Sequence, residues 1–305
     1  MMGAATVARL LEAATVRLAA VGVDTPRVDA EWLLAGLLGA RRVDLGLLLG
    51  QEPDPGLVTR YEATIERRRA REPLQRILGW EGFRGLRVNL GPDVLVPRPE
   101  TEVLVDLALA LLPAPRGGLR PVVIDVGTGS GCVACAIAAE RADVQVIATD
   151  TSIGALRVAR DNARQLGLGQ VHLAAADLMT AVAPGAADLV VSNPPYLPTA
   201  LLETLAPEVR DHEPRVALDG GHDGLRALAG LVRDARRVLC AGGALVVETA
   251  GRLQASRVRE LMADTGFVDV QGQRDLAGVD RFVSARASLS RGGFGGGRRG
   301  PLRDA

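Results

Sequence analysis

The sequence contains no lysine, so its 36 basic side chains are all arginines, and 36 carboxylates balance them to a formal net charge of zero. A neutral chain exerts no global attraction on nucleic acid or an anionic membrane, although a local basic patch still can. No apolar run approaches the roughly 20 residues that a membrane-crossing helix needs, so none is expected. Arg9 and Glu12 lie inside an amphipathic pattern where an export signal would carry an uninterrupted apolar core, and a cytoplasmic location is therefore expected. Three cysteines are too few for a disulfide framework and suit a reducing compartment. Two of them form a CxxC pair, Cys132 and Cys135, but they follow a glycine-rich turn where a helix begins, which favours buried packing over redox or metal chemistry. His172, His212 and His222 show no HxxxH or clustered Cys/His spacing, so no metal site is expected.

What is present is a hydrophobic content of 48% over 305 residues, enough for a catalytic domain and a smaller companion. Val7, Leu10, Leu11, Ala14 and Leu18 recur at helical spacing. Thr25 and Pro26 offer a cap and a first-turn proline for a second helix, and a third runs from about Pro55 to Glu72. Residues 1–80 thus read as a small helical bundle. The third helix ends in Arg67, Arg68, Arg69 and Arg71, which admit either a solvated face or an RNA contact. Short alternating runs broken by glycine then predict a β-hairpin linker over 81–97. From Pro121 onward, strand-like runs at Val122–Val126, Val144–Ala148, Val171–Ala174, Leu189–Val191 and Ala244–Val247 alternate with helical stretches. That rhythm predicts an α/β catalytic domain over 98–287 with a mostly parallel sheet covered on both faces. Residues 288–305 are rich in Gly and Arg and are expected to form a disordered tail.

The loop Asp125-Val126-Gly127-Thr128-Gly129-Ser130-Gly131 follows a strand and opens a helix, where glycines permit a tight turn and close approach of a nucleotide-like ligand. Asp150, at the end of the next strand, is placed to accept hydrogen bonds from ribose hydroxyls. Cys132 stands where a dinucleotide fingerprint wants its third glycine, so the GxGxG form favours S-adenosylmethionine over a nicotinamide cofactor. Asp177 ends a third strand and can meet an adenine amino group, with Leu178 against the ring.

The most specific signal is Ser192-Asn193-Pro194-Pro195-Tyr196, directly after an apolar strand. Each proline pushes the residue before it toward an extended backbone, and neither ring nitrogen can donate. The Asn193 side-chain oxygen and the Pro194 carbonyl can thus be two fixed acceptors for both hydrogens of one NH2 group, with Tyr196 as a flat stacking face. Asn193, Pro194 and Tyr196 are accordingly the expected catalytic residues, and Pro195 joins them in lining the substrate site. The predicted chemistry is methyl transfer to a planar, conjugated nitrogen, helped by preorganised dipoles instead of a strong base.

Together these residues resemble the HemK/PrmC family of protein-(glutamine-N5) methyltransferases. The likeness extends to Pro73-Leu74-Gln75, to Val96-Pro97-Arg98-Pro99-Glu100-Thr101-Glu102, to Glu213-Pro214-Arg215-Val216-Ala217-Leu218 and to Asp280-Arg281-Phe282. It implies a Rossmann-like class I S-adenosylmethionine-dependent methyltransferase sheet behind an N-terminal helical bundle that helps bind peptide chain release factors. It also implies methylation of the glutamine in their Gly-Gly-Gln motif. Cofactor contacts would then fall to Gly127, Thr128, Gly129, Ser130, Gly131, Asp150, Asp177, Leu178 and Asn193. Leu178 departs from the pattern, because some relatives carry an aromatic residue over the adenine there. An exocyclic amine of adenine or guanine is also a conjugated NH2, so an amino-methyltransferase acting on nucleic acid is the alternative. Neutral charge and a small N-terminal domain argue against direct binding of nucleic acid.

Overall fold

The structure, a computed structural model, describes residues 6–289. Nearly all of the tail expected at 288–305 therefore lies outside the described residues. Three helices, α1 (Val7–Ala19), α2 (Pro26–Leu38) and α3 (Pro55–Arg69), pack around Leu11, Leu18, Leu33, Leu34, Tyr61 and Ile65. The Asp54 side chain caps α3 by accepting from the Leu57 amide, which satisfies a donor with no partner inside the helix. The Tyr61 hydroxyl donates to the Ala30 carbonyl at 3.0 Å, so this large core side chain leaves no polar atom orphaned. The third helix stops at Arg69, three residues short of the expected end, and a short α4 (Leu74–Leu78) follows it.

Strands β1 (Trp80–Phe83) and β2 (Leu86–Asn89) form the expected hairpin, but it is shorter than 81–97. Pro92, Pro97 and Pro99 lack the amide a ladder requires, and residues 90–100 form no further strand. The two-residue turn places Arg84 and Gly85 at φ 48° and 74°, the left-handed geometry that matches strand twist in a tight hairpin. Asn162 clamps the end of β2 through the Asn89 amide and carbonyl, and Trp80 meets Trp32 edge to face at 6.1 Å. The linker is thus packed against both domains.

The catalytic domain follows as α5 (Thr101–Leu111), β3 (Val122–Val126), α6 (Cys132–Glu140), β4 (Gln145–Asp150), α7 (Ile153–Gln165), β5 (Val171–Ala175) and β6 (Ala187–Ser192). Residues 193–225 carry only short helical turns, among them α8 (Pro207–Arg210). The chain then continues through α9 (Arg226–Val238), β7 (Leu239–Glu248), α10 (Arg252–Asp264), β8 (Phe267–Arg274) and β9 (Asp280–Ala287). The seven strands run in the order β5-β4-β3-β6-β7-β9-β8. The first five are parallel, and β9 and β8 add an antiparallel edge that the apolar runs did not announce. Residues alternate across the sheet: Val123 and Val191 face α5 and α6, while Ile124 and Val190 face α9 and α10. Burial on both faces is why these strands read as unbroken apolar runs. Strand order reverses between β3 and β6, so their carboxyl ends, Val126 beside Ser192, open the crevice where doubly wound sheets bind ligands. Among the described residues, no helix is long and apolar enough to cross a membrane.

Candidate active site

The glycine loop leaves β3 at that crevice. Gly127 and Gly129 have φ of 69° and 55°, and a Cβ on either would project into open space, as a backbone cradle for a ligand requires. Gly131 differs: it does not line the cavity, and its own Cβ would lie 3.0 Å from that of Ala159 in α7. Its bareness serves the packing of α6 against α7. Asp125 anchors the loop from beneath, accepting from the Thr128 hydroxyl at 2.6 Å and the Ala134 amide at 3.1 Å. Burial pushes the Asp125 carboxyl up to about 7, and those hydrogen bonds counter it only in part.

A cavity of about 250 Å³ spans the crevice, lined by Gly127, Thr128, Gly129, Ser130, Asp150, Asp177, Leu178, Asn193 and Pro195. Asp150 receives the Gly129 amide on one oxygen and the Ser152 amide on the other, which fixes its carboxylate at the rim with lone pairs to spare. Leu178 adopts φ 53°, and its carbonyl is held by the Thr149 hydroxyl at 3.0 Å. These groups suit an adenosyl compound: bare backbone at the turn, one carboxylate for a ribose, and Asp177 with Leu178 for a base.

A second cavity of about 170 Å³ adjoins the first, lined by Pro194, Tyr196, Leu197, Val209 and Leu218 among others. Asn193, Arg98, Leu95 and Ala217 line both. Asn193 therefore sits in the wall between them. Its Nδ2 donates to the Thr101 hydroxyl at 3.1 Å, and its Oδ1 has no hydrogen-bond partner among the described residues. The Tyr196 hydroxyl donates to Glu248 at 3.1 Å, and burial raises this phenol well above its ordinary range. Tyr196 is thus a fixed, neutral ring.

Two residues at this site escaped the reading of motifs. Thr101 starts α5 and Glu248 ends β7, and both are buried. The signal for Glu248 was a single carboxylate closing the apolar run Leu245-Val246-Val247, and Thr101 lay unremarked inside the Pro-Arg-Pro-Glu-Thr stretch. Cys132 and Cys135 are buried in the core, and desolvation pushes both thiols up to about 12, away from the reactive thiolate.

The arginines at the end of α3 divide: Arg67 and Arg69 are exposed and ion-paired, as a solvated face would have them, whereas Arg68 and Arg71 turn toward other elements. Arg68 is buried, donating to Asp29 at 2.7 Å and to Glu208 of α8 at 3.0 Å. Arg71 holds the same Glu208 at 2.6 Å, Arg67 pairs with Glu72 and Arg69 with Glu66. Nearby, Glu213 binds Arg76 of α4 at 2.7 Å and Arg98 at 3.3 Å. The segment that walls the second cavity is thereby stapled to the N-terminal bundle.

Residues 9–79 match the model of the PrmC N-terminal domain, and residues 105–205 match that of the methyltransferase small domain. A release factor glutamine methyltransferase of Geobacter sulfurreducens is 41% identical over 281 residues, covering 92% of this chain and 96% of the relative. Its counterpart from Streptomyces coelicolor is 42% identical over 279 residues, covering 90% and 96%. One from Deinococcus radiodurans is 43% identical over 277 residues, covering 91% and 97%. Among solved structures, a methyltransferase from Pyrococcus furiosus aligns with a TM-score of 0.50 at 18% identity, covering 67% of this chain and 90% of that one. The hMettl16 catalytic domain in complex with MAT2A 3'UTR hairpin 6 aligns with a TM-score of 0.53 at 15% identity, covering 78% and 84%. Such distant likenesses show the fold alone, a class I methyltransferase sheet. The full-length relatives, alike in both domains, show more: the chain belongs to the release factor glutamine methyltransferase family.

Proposed function

We propose that this chain transfers a methyl group from S-adenosylmethionine to the side-chain amide nitrogen of the glutamine in the Gly-Gly-Gln motif of peptide chain release factors. The observation that carries this reading is the placement of Asn193, in the wall shared by two cavities with its Oδ1 unpaired. The larger cavity takes the cofactor through Gly127, Thr128, Gly129, Ser130, Asp150, Asp177, Leu178 and Asn193, and the smaller takes the glutamine side chain. Gly131 supports the loop from behind.

S-adenosylmethionine supplies an electrophilic methyl carbon on a sulfonium. The chain's own task is to make a poor nucleophile reactive. An amide nitrogen shares its lone pair with the carbonyl, and a rotation barrier of about 18–20 kcal/mol measures that conjugation. Asn193 Oδ1 and the Pro194 carbonyl accept the two N–H groups, so the nitrogen lone pair is turned out of that plane of contacts toward the methyl carbon. Tyr196 packs against the flat amide and limits its rotation. As the N–C bond forms and the C–S bond breaks, positive charge grows on nitrogen, where both acceptors stabilise it. One of the two protons then leaves to water. Fixed acceptors cost no reorganisation at that moment.

The N-terminal domain, residues 1–80, serves in this reading to bind the release factor, with the hairpin segment 81–97 joining it to the catalytic domain of 98–287. A cytoplasmic location follows from a substrate in translation. Nucleic acid as the methyl acceptor is less well supported, because the arginines of α3 that favoured RNA are engaged by carboxylates. The test is incubation of the purified chain with methyl-labelled S-adenosylmethionine and a release factor, followed by tandem mass spectrometry. A single methyl on the Gly-Gly-Gln glutamine side chain is expected; label on another residue, or on RNA instead, would contradict the reading.

A further inference from the structure

We propose that Thr101 and Glu248 are positioning residues for the transfer: they determine which end of the Asn193 amide faces the substrate. The inference rests on the reading of Asn193 as an acceptor. A primary amide has two ends of nearly equal size and opposite polarity, and only the oxygen end can receive a substrate N–H. Reversed, Asn193 would present its own NH2 to the substrate NH2, and the site would repel what it must orient.

The hydrogen-bond chain allows one arrangement. Ionised Glu248 can only accept, and its Oε2 lies 2.9 Å from the Thr101 hydroxyl. That hydroxyl has a single proton, which the carboxylate takes, so toward Asn193 it offers only lone pairs. Asn193 must therefore turn Nδ2 to Thr101 at 3.1 Å, which leaves Oδ1 for the substrate. The second carboxylate oxygen of Glu248 accepts from the Tyr196 hydroxyl at 3.1 Å. One buried group thus fixes both the acceptor and the stacking ring. Gln254 completes the support, donating from Nε2 to the Tyr196 carbonyl at 2.9 Å. Thr101 and Glu248 are 2% and 1% exposed, so water does not compete for these bonds.

The chain of bonds has a pH dependence built into it. The groups facing Glu248 are Thr101 and Glu100 at the head of α5, Tyr196 after β6, and Arg281 of β9, which is itself paired with Asp275. Burial pushes the Glu248 carboxyl up to about 7, against the hydrogen bonds from Thr101 and Tyr196 and the charge of Arg281. A protonated Glu248 can donate to Thr101, which frees the threonine proton for Asn193 and removes the preference for the productive orientation. Turnover is therefore half-maximal near pH 7, approaches its full value as the pH rises above that, and falls below it as Glu248 gains its proton.

The test compares single-turnover methylation of a release factor at saturating S-adenosylmethionine, from about pH 5.5 to 9, for wild type, Thr101→Ser, Thr101→Val and Glu248→Gln, with cofactor affinity measured by calorimetry. Thr101→Ser keeps the hydroxyl and should stay within about threefold of wild type, whereas Thr101→Val should lose at least about tenfold in rate with cofactor affinity changed less than about threefold. Glu248→Gln, which mimics the protonated acid, should be slow and lack the acidic limb of the wild-type profile. Thr101→Val as fast as Thr101→Ser, a Glu248→Gln profile that keeps the wild-type limb, or losses matched by lost cofactor affinity would each overturn the proposal. A wild type that leaves the glutamine unmethylated would strike the substrate reading itself; an active wild type with an unimpaired Thr101→Val strikes this inference alone.

Discussion

Asp125 and Glu248, near the ends of two parallel strands, are buried carboxylates that hold the glycine loop and the Thr101 and Tyr196 hydroxyls, and both are pushed up to about 7 by desolvation. Their hydrogen-bond partners are too few to repay fully the water each group loses. For Glu248 the ordinary value is 4.5 and the folded value about 7, so the folded protein binds this proton more tightly than the unfolded chain does. Its contribution to stability is complete below about pH 4.5 and is lost as the pH rises through 7. Glu248→Gln removes the titration, and its melting temperature should therefore gain on that of wild type between about pH 5 and 8. A gap that does not change with pH would show that the wild-type carboxylate ionises without penalty. At this scale the sequence displayed groups that line the two cavities, because Asn193 to Tyr196 and Gly127 to Ser130 are contiguous motifs. It hid the groups that hold them: Thr101 is 92 positions from Asn193 and 147 from Glu248, and no local pattern joins residues so far apart.

The end of α3 shows how an element's meaning depends on what packs against it. Four arginines in five positions are ambiguous in sequence, and Glu208, the partner of Arg68 and Arg71, lies 137 to 140 positions away in α8. Arg68 is inside the structure, so Arg68→Ala leaves Asp29 and Glu208 short of a buried partner and should cost about 3–5 kcal/mol, measured by urea unfolding. Arg67, half-exposed and paired with Glu72, should cost less than about 1 kcal/mol when replaced by Ala, and equal losses at the two positions would contradict the assignment. Burial opposes ionisation of Glu208, yet the bonds from Arg71 and Arg68 hold its carboxyl at about 2. That contribution is present above pH 4.5 and lost as the pH falls toward 2, the opposite sense to Glu248. The central parallel strands β3 and β6 were legible because each is apolar on both faces. Strand β8 was not: exposed at the sheet edge and broken by two register shifts, Phe267–Arg274 lacks the alternation that marks a half-buried strand. The connection from 193 to 225 was equally opaque, since short turns carry no period.

Across the whole molecule, neutral charge, two domains and a docked hairpin converge on one crevice at the reversal of strand order. The larger of the two cavities faces the glycine loop, the smaller faces the stapled segment, and Asn193 divides them. The bundle reaches the substrate wall through Glu208, Glu213 and the His212 ring nitrogen, 3.2 Å from the Ala70 carbonyl. The bundle and the smaller cavity are thus mechanically joined. The central claim is that two fixed acceptors, one of them Asn193 Oδ1, make the amide nitrogen reactive. The most direct test is the single-turnover rate of Asn193→Ala with cofactor affinity measured on the same preparation. The account predicts a loss of about a hundredfold or more in rate, with cofactor affinity within a few fold of wild type; an unchanged rate, or a loss explained wholly by weaker cofactor binding, would contradict it.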